Sequence, residues 1–241
     1  MGQIRLDRLL SELGVASRSE LKRMIRSGRV SVNGKVVTVP EERIDDEKCE
    51  LCLDGERLRL QRLRYFMMDK PAGILSVTED RKQSTVLELL PPELKRIGLF
   101  PVGRLDKDTS GLLLLTNDGD FSHRVITPKS GVEKRYYALV DGVPDEKDVQ
   151  AFRDGIVLAD GTKCLPAKLE ISGGNVCYVT VMEGKYHQVK RMLAAREKPV
   201  VKLRRISVGE LEIGDDLGPG GFRELDESDL CKVLSGFHIG K

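Results

Sequence analysis

The sequence predicts an α+β protein: a small αα-hairpin domain, then a large mixed, mostly antiparallel sheet with helices on its faces. Two short amphipathic helical patterns follow one another within residues 6–26. From Tyr65 onward, many strand-like segments are interrupted by helical ones at irregular spacing, which favours a largely antiparallel sheet with helices against it. Leu112 to Leu115 is a purely apolar run next to a turn-forming stretch and reads as a strand buried on both faces. A length of 241 residues suits one large or two smaller domains. The boundaries fall at 1–60, a linker at 61–64, and 65–241.

In the first domain, Leu6, Leu9, Leu10 and Leu13 share one helical face, and Gly14 stops that helix. Ser17 opens a second helix, with Glu20 completing a capping box. Leu21, Met24 and Ile25 form its apolar face; Arg18, Lys22, Arg23 and Arg26 form its polar face. Gly28 caps it. Val30 to Val32, Asn33-Gly34 and Lys35 to Val37 give a hairpin signal. Cys49 and Cys52 form a lone CxxC in an alternating segment ending at Asp54-Gly55, so a strand is expected there rather than a metal site. Arg57, Arg59, Arg62 and Arg64 lead into the linker.

In the second domain, Tyr65 to Met68 reads as a strand, Lys70 to Gly73 as a turn, and 84–91 as a helix from Ser84 to Pro91-Pro92. Residues 120–126 are helical, 134–140 a strand, and 144–153 helical, with Pro144 near the first turn and Gly155 beyond the end. Strands follow at 165–171 and 175–182, a helix at 187–196, and a strand-like stretch at 200–213.

Apolar residues make up 40% of the chain, enough for a packed core, and no stretch approaches the ~20 apolar residues of a membrane span. Five cysteines without a secretion signal point to reduced thiols in a cytoplasm. Net charge is only +2, but its distribution is uneven: residues 1–35 hold eight Lys/Arg against three Asp/Glu, and 41–56 hold two against eight. The basic part, with Arg29 and Lys35 beside the second helix, is a candidate phosphate-binding face.

The stretch Gly103-Arg104-Leu105-Asp106-Lys107-Asp108-Thr109-Ser110-Gly111 carries the chemistry. It is a loop anchored by the apolar strand that follows, a usual place for a catalytic group, and Arg104 and Lys107 flank the carboxylate of Asp106. An EF-hand reading fails, because Asn117 stands where an acidic ligand is required. No metal is expected.

This motif, continuing through Leu112-Leu113-Leu114-Leu115-Thr116-Asn117-Asp118-Gly119, closely resembles the active-site motif of the RsuA-like RNA pseudouridine synthases. The resemblance makes Asp106 the essential catalytic residue and implies a curved mixed sheet with the catalytic cleft across it. The reaction detaches uracil at nitrogen 1, turns it and rejoins it through carbon 5, so no cofactor is expected. Lys70-Pro71-Ala72-Gly73 resembles an element bordering the site. Glu133-Lys134-Arg135-Tyr136-Tyr137 resembles the element with the active-site tyrosine, Tyr136, which can stack on the target base. Glu183-Gly184-Lys185-Tyr186-His187-Gln188-Val189-Lys190-Arg191-Met192 resembles the third motif, where a basic residue pairs with the aspartate: Lys190 by position, with Arg191 as rival. Arg104 is implied to contact RNA and fill the space left by a flipped base.

The two helices and the hairpin resemble the S4 RNA-binding domain, implying that Arg18, Lys22, Arg23, Arg26, Arg29 and Lys35 contact RNA. Tyr186 and His187 resemble the pair found in enzymes acting on small-subunit ribosomal RNA, where large-subunit enzymes tend to carry Asn-Arg. They, with Arg191, are expected to contact RNA near the target. The expectation is a cytoplasmic monomer, with no membrane attachment, modifying one uridine of small-subunit (16S) ribosomal RNA in an assembling subunit. A large-subunit enzyme and a non-catalytic ribosome-assembly factor on the same fold are the competing readings. Arg196-Glu197-Lys198 departs from relatives, which commonly have a small or glycine turn there.

Overall fold

A computed structural model describes residues 3–45, 49–58 and 60–235, and elements are counted among these. Arg59, one of the arginines leading into the linker, lies outside them. The chain divides into two units, Met1–Arg64 with Leu87–Leu99, and Tyr65–Val86 with Phe100–Lys241.

The first unit contains β1 (Gln3–Arg5), α1 (Leu6–Glu12), α2 (Arg18–Arg26), β2 (Val30–Val32), β3 (Lys35–Val36), β4 (Arg43–Asp45), β5 (Leu51–Leu53), β6 (Glu56–Arg57) and, from the inserted segment, α3 (Pro92–Lys95). The capping box forms: the Ser17 side chain accepts from Glu20 N–H, and Ser17 N–H donates to the Glu20 carboxylate at 2.9 Å. Gly14 ends α1 at φ +75°, where a Cβ would lie 2.6 Å from Ile97, so this turn needs glycine for both conformation and space. Leu6, Leu9, Leu10, Leu21 and Ile25 pack with Val30 and Leu51 in one core. Asn33 and Gly34 both have positive φ in the β2–β3 turn, as a tight hairpin requires. Cys52 lies in β5, and both Cys49 and Cys52 are free thiols.

The helix expected over 84–91 does not form. Backbone bonds from Leu75 N–H to Ser84 O and from Val86 N–H to Leu75 O hold the chain extended there, and only a short 3-10 turn, Val86–Leu89, follows. The α-helix starts at Pro92, with Pro91 as its N-cap. Proline excludes the helical conformation for the residue before it but suits the first helical position, so the Pro pair starts a helix instead of ending one.

The second unit contains β7 (Tyr65–Lys70), β8 (Phe100–Pro101), β9 (Ser110–Thr116), α4 (Gly119–Ile126), β10 (Lys134–Val140), α5 (Glu146–Asp154), β11 (Lys168–Gly173), β12 (Val176–Val181), α6 (Gln188–Ala194), β13 (Val200–Val208), β14 (Leu211–Glu212), β15 (Phe222–Glu224) and α7 (Glu227–Val233). Among the described residues, nine strands join one sheet in the order β11-β12-β10-β13-β9-β7-β15, with β14 on β13 and β8 on β9. Pairing is antiparallel except between β13 and β9. Leu112 to Leu115 are all at most 1% exposed, as a strand covered on both faces must be. One core gathers Phe152, Val189, Met192 and Leu193 on β10, β12 and β13; another gathers Met67, Leu112, Leu114, Phe121, Val125 and Val233.

Two expected elements change and one helix is added. Asp145, not Pro144, opens α5, through a capping box with Asp148. The 200–213 stretch folds back at Gly209, φ +58°, giving β13 and β14. Helix α7 was not expected, although its Asp226–Asp229 capping box was visible in the sequence.

At the centre, β13 bridges β10 and β9. Arg205 lies opposite Tyr136 on one side and Gly111 on the other. Gly111 has φ +103°, and a Cβ there would stand 2.1 Å from Arg205 O. The glycine permits the parallel contact that sets the loop before β9 over the sheet.

Candidate active site

Asp106 lies on the loop between β8 and β9, and several contacts fix that loop. The Lys70 ammonium, fully buried at the end of β7, donates to the carbonyls of Pro71, Lys107 and Thr109 at 2.9, 3.2 and 2.8 Å. Gly73 N–H donates to Lys107 O at 2.7 Å. Ser76 Oγ donates to Leu105 O at 2.9 Å and accepts from Leu105 N–H at 3.2 Å. Burial pushes the Lys70 ammonium down to about 8 despite the nearby charges of Asp108 and Asp106.

Helix α6 brings the partner. Lys190 Nζ lies 3.0 Å from Asp106 Oδ2 and 2.5 Å from Asp108 Oδ1. Burial works against its charge, but hydrogen bonds and attraction from the two carboxylates outweigh it and hold its pKa above the ordinary value. The Lys190 hydrogen bond likewise lowers that of Asp108. Arg191, the rival, turns away: its guanidinium pairs with Asp160 at 2.5 Å and donates to Tyr186 O at 3.4 Å. Neither Arg104 nor Lys107 forms an ion pair with Asp106 among the described residues, so the contacting cation comes from the far segment and not from the loop's own flanks.

His187 stands closer to Asp106 than its expected role as an RNA contact suggests. Its Nε2 lies 3.4 Å from Asp106 Oδ1, and its ring stacks on Tyr186 with centroids 3.9 Å apart and planes at 17°. Tyr186 is 76% exposed and faces solvent. His187 caps α6 with φ +49°, a left-handed conformation that histidine adopts more readily than most residues. The bend before it is held by buried Glu183, which accepts from Leu165 N–H and Gln188 Nε2, both at 2.8 Å, and pairs with Lys185. No local pattern in the sequence marks this network, because Leu165 joins it from a separate segment.

Tyr136 faces the same cleft as Asp106, with Arg104, Leu105, His187, Lys190 and Leu203. Tyr137 points to the other face and meets Tyr178 edge-on at 6.0 Å. Arg104 is exposed at the rim. The Arg196–Lys198 turn holds Glu197 at φ +58°, a conformation that explains why glycine suits it.

In the first unit, Arg18, Lys22, Arg23, Arg26 and Lys35 are exposed, without ion-pair partners among the described residues. Arg29 differs: its guanidinium grips Asp54 at two points, 2.8 and 2.5 Å, so its charge is already matched. A groove of about 740 Å³ runs past Arg18 and Lys22. Among the described residues, no three His, Cys, Asp or Glu side chains cluster as a metal site, and no helix is long and apolar enough to cross a membrane.

The family model of RNA pseudouridylate synthase matches residues 64–195, and that of the S4 domain residues 4–48. An RNA pseudouridine synthase of Bacillus subtilis, described as uncharacterized, is 43% identical over 231 residues, covering 94% of this chain and 97% of that protein. The ribosomal small subunit pseudouridine synthase A of Escherichia coli K12 is 37% identical, covering 96% and 100%. A crystal structure of a pseudouridylate synthase superposes with a TM-score of 0.68 at 35% identity, over 95% of this chain and 99% of that one. With the aspartate, its lysine and the tyrosine gathered in one cleft of a matching fold, the chain belongs to the RNA pseudouridine synthase family and carries an S4 domain.

Proposed function

We propose that this protein isomerises one uridine of small-subunit ribosomal RNA to pseudouridine, with Asp106 as the catalytic residue. The observation that carries it is the Asp106 carboxylate, paired with Lys190 at 3.0 Å and lining one cleft with Tyr136. A carboxylate there can act as nucleophile or as base on the sugar or the ring. Lys190 supplies the counter-charge that a half-buried carboxylate requires. The Tyr136 ring gives the uracil a face to stack on, and its hydroxyl can handle the proton leaving carbon 5. A uridine stacked in a helix hides its glycosidic bond, so it must be flipped out or presented single-stranded.

The small-subunit substrate is supported by relatives of that name in Escherichia coli, Yersinia pestis and Pseudomonas aeruginosa, each 37–38% identical. Contact between Tyr186 or His187 and bases next to the target is supported by the exposed Tyr186 ring stacked on half-buried His187 beside Asp106. Residues 1–60 bind RNA through phosphate contacts, which position without reading sequence; 61–64 link them to the catalytic residues 65–241. The protein works as a cytoplasmic monomer on the assembling subunit.

Asp106→Asn keeps the shape of the side chain but removes nucleophile and base together. It should abolish tritium release from carbon-5-labelled uridine in ribosomal RNA while RNA affinity stays near normal. Near-normal turnover would overturn the role of Asp106. Carbodiimide-adduct primer extension on both ribosomal RNAs, with and without the protein, tests the substrate: a stop that depends on the protein should appear in the small-subunit RNA alone.

A further inference from the structure

A second cavity, of about 430 Å³, lies against the catalytic cleft and shares Arg104, Tyr136 and Lys185 with it. At its wall stand two cations that the proposed chemistry does not use, Lys134 and Arg205, only 7% and 5% exposed. Lys134 donates to the carbonyls of Val125 and Val132, both at 2.8 Å. Arg205 donates from Nε to Leu112 O at 2.7 Å, and its terminal nitrogens make no hydrogen bond among the described residues. No carboxylate pairs with either cation among the described residues. Burying two charges without a counter-ion is costly, and guanidinium nitrogens without a partner beside a cavity of this size ask for a ligand that supplies acceptors.

The cavity narrows the ligand. Val102, Leu114, Val125, Ile126 and Val208 give it apolar walls, which suit the faces of a flat ring better than a phosphate. Arg205 and Lys134 can only donate, so the ring edge between them must be all acceptor. Guanine presents O6 and N7 side by side, the pair that a guanidinium fork matches in two bonds. Adenine and cytosine put an amino donor in that edge. Arg205 and Tyr136 are opposite one another in neighbouring strands and so point to the same face. A base in this cavity therefore sits across Tyr136 from the reacting uridine.

We infer that this cavity receives a guanine of the RNA substrate, extruded next to the target uridine, with its O6/N7 edge on Arg205 and its faces between the Val and Ile side chains. This rests on the RNA-isomerase reading for the source of the guanine, but the binding chemistry can be tested without turnover.

Two arms test it on the full chain. Calorimetry with GMP, AMP and inorganic phosphate should give GMP at least tenfold tighter than AMP, with no displacement by phosphate. Ile126, at the exposed end of α4, lines the cavity and not the catalytic cleft. Ile126→Trp should abolish GMP binding, and Ile126→Ala should keep it. Equal binding of AMP, displacement by phosphate, or GMP binding unchanged in Ile126→Trp would each overturn the inference. In the second arm, small-subunit ribosomal RNA is transcribed with 7-deazaguanosine, which lacks the N7 acceptor. Turnover should fall at least tenfold for the wild type relative to normal transcript, with no further fall for Ile126→Trp. Equal turnover on both transcripts overturns the RNA source. Absence of turnover on the normal transcript tells instead against the isomerase reading and leaves the GMP result standing.

Discussion

The ammonium of Lys190 is shared by two carboxylates of one loop, Asp106 at 3.0 Å and Asp108 at 2.5 Å. The two acids differ in setting: the side chain of Asp108 is 76% exposed, that of Asp106 24%. The outer acid makes the shorter contact with the lysine, and the inner one meets it through Oδ2 while its Oδ1 lies 3.4 Å from His187 Nε2. Two anions for one cation also keep Lys190 charged.

Replacing Lys190 by Met should therefore lower turnover by about a hundredfold, the usual scale for losing one preorganised electrostatic partner, with RNA affinity little changed. Because the lysine's pKa lies above its ordinary value, wild-type turnover should show no loss from its deprotonation between pH 7 and 9. Single-turnover tritium release across that range checks both points.

Lys70 behaves in the opposite sense. Its pKa falls from 10.5 to about 8 on folding, so between those values the unfolded chain holds a proton that the folded one lacks. Stability then rises with pH in that window, by up to about 1.4 kcal/mol per pH unit from this group. Below pH 8 both states are protonated and the contribution is flat. Urea unfolding at pH 8 and pH 10 should show a smaller gain for Lys70→Met than for the wild type. The variant should also lose activity at neutral pH, because three carbonyls around the Asp106 loop lose their donor.

Arg23→Ala with Arg26→Ala should weaken RNA binding and flatten its salt dependence by roughly 0.7–0.9 per cation removed. Arg29→Ala alone should change that slope less, since Asp54 already holds its guanidinium. Filter binding between 50 and 200 mM salt separates the two; an unchanged slope in the double variant shows an ordinary solvated helix face.

Gly111→Ala should be among the most damaging small substitutions. The new Cβ meets Arg205 O at 2.1 Å and Arg205 N at 2.8 Å, in a backbone conformation with φ +103°. Strain and the lost β9–β13 contact place the cost beyond about 4 kcal/mol, read as a large fall in melting temperature. Gly119→Ala, whose Cβ meets nothing within 4 Å, is the matched control.

Local rules carried much of this protein's structure. Hydrophobic periodicity, Ser17–Glu20 capping and the Asn33-Gly34 turn set α1, α2 and the first hairpin, because each depends on contacts a few residues apart. The apolar run at Leu112 to Leu115 marked the central strand, and the motif around Asp106 marked the candidate site. Tertiary structure decided what local rules could not. Lys190 and not Arg191 reaches Asp106 because neighbours on a helix point about 100° apart, and only the packing of α6 selects which one faces the loop. His187 meets the carboxylate through the backbone turn that Glu183 and Gln188 hold. The Pro91-Pro92 pair starts a helix because proline suits the first helical position, while backbone bonds to Leu75 hold residues 84–86 extended. Nothing local in the sequence marks Arg205 and Lys134 as a pair; only the pairing of β10, β13 and β9 buries both beside one cavity.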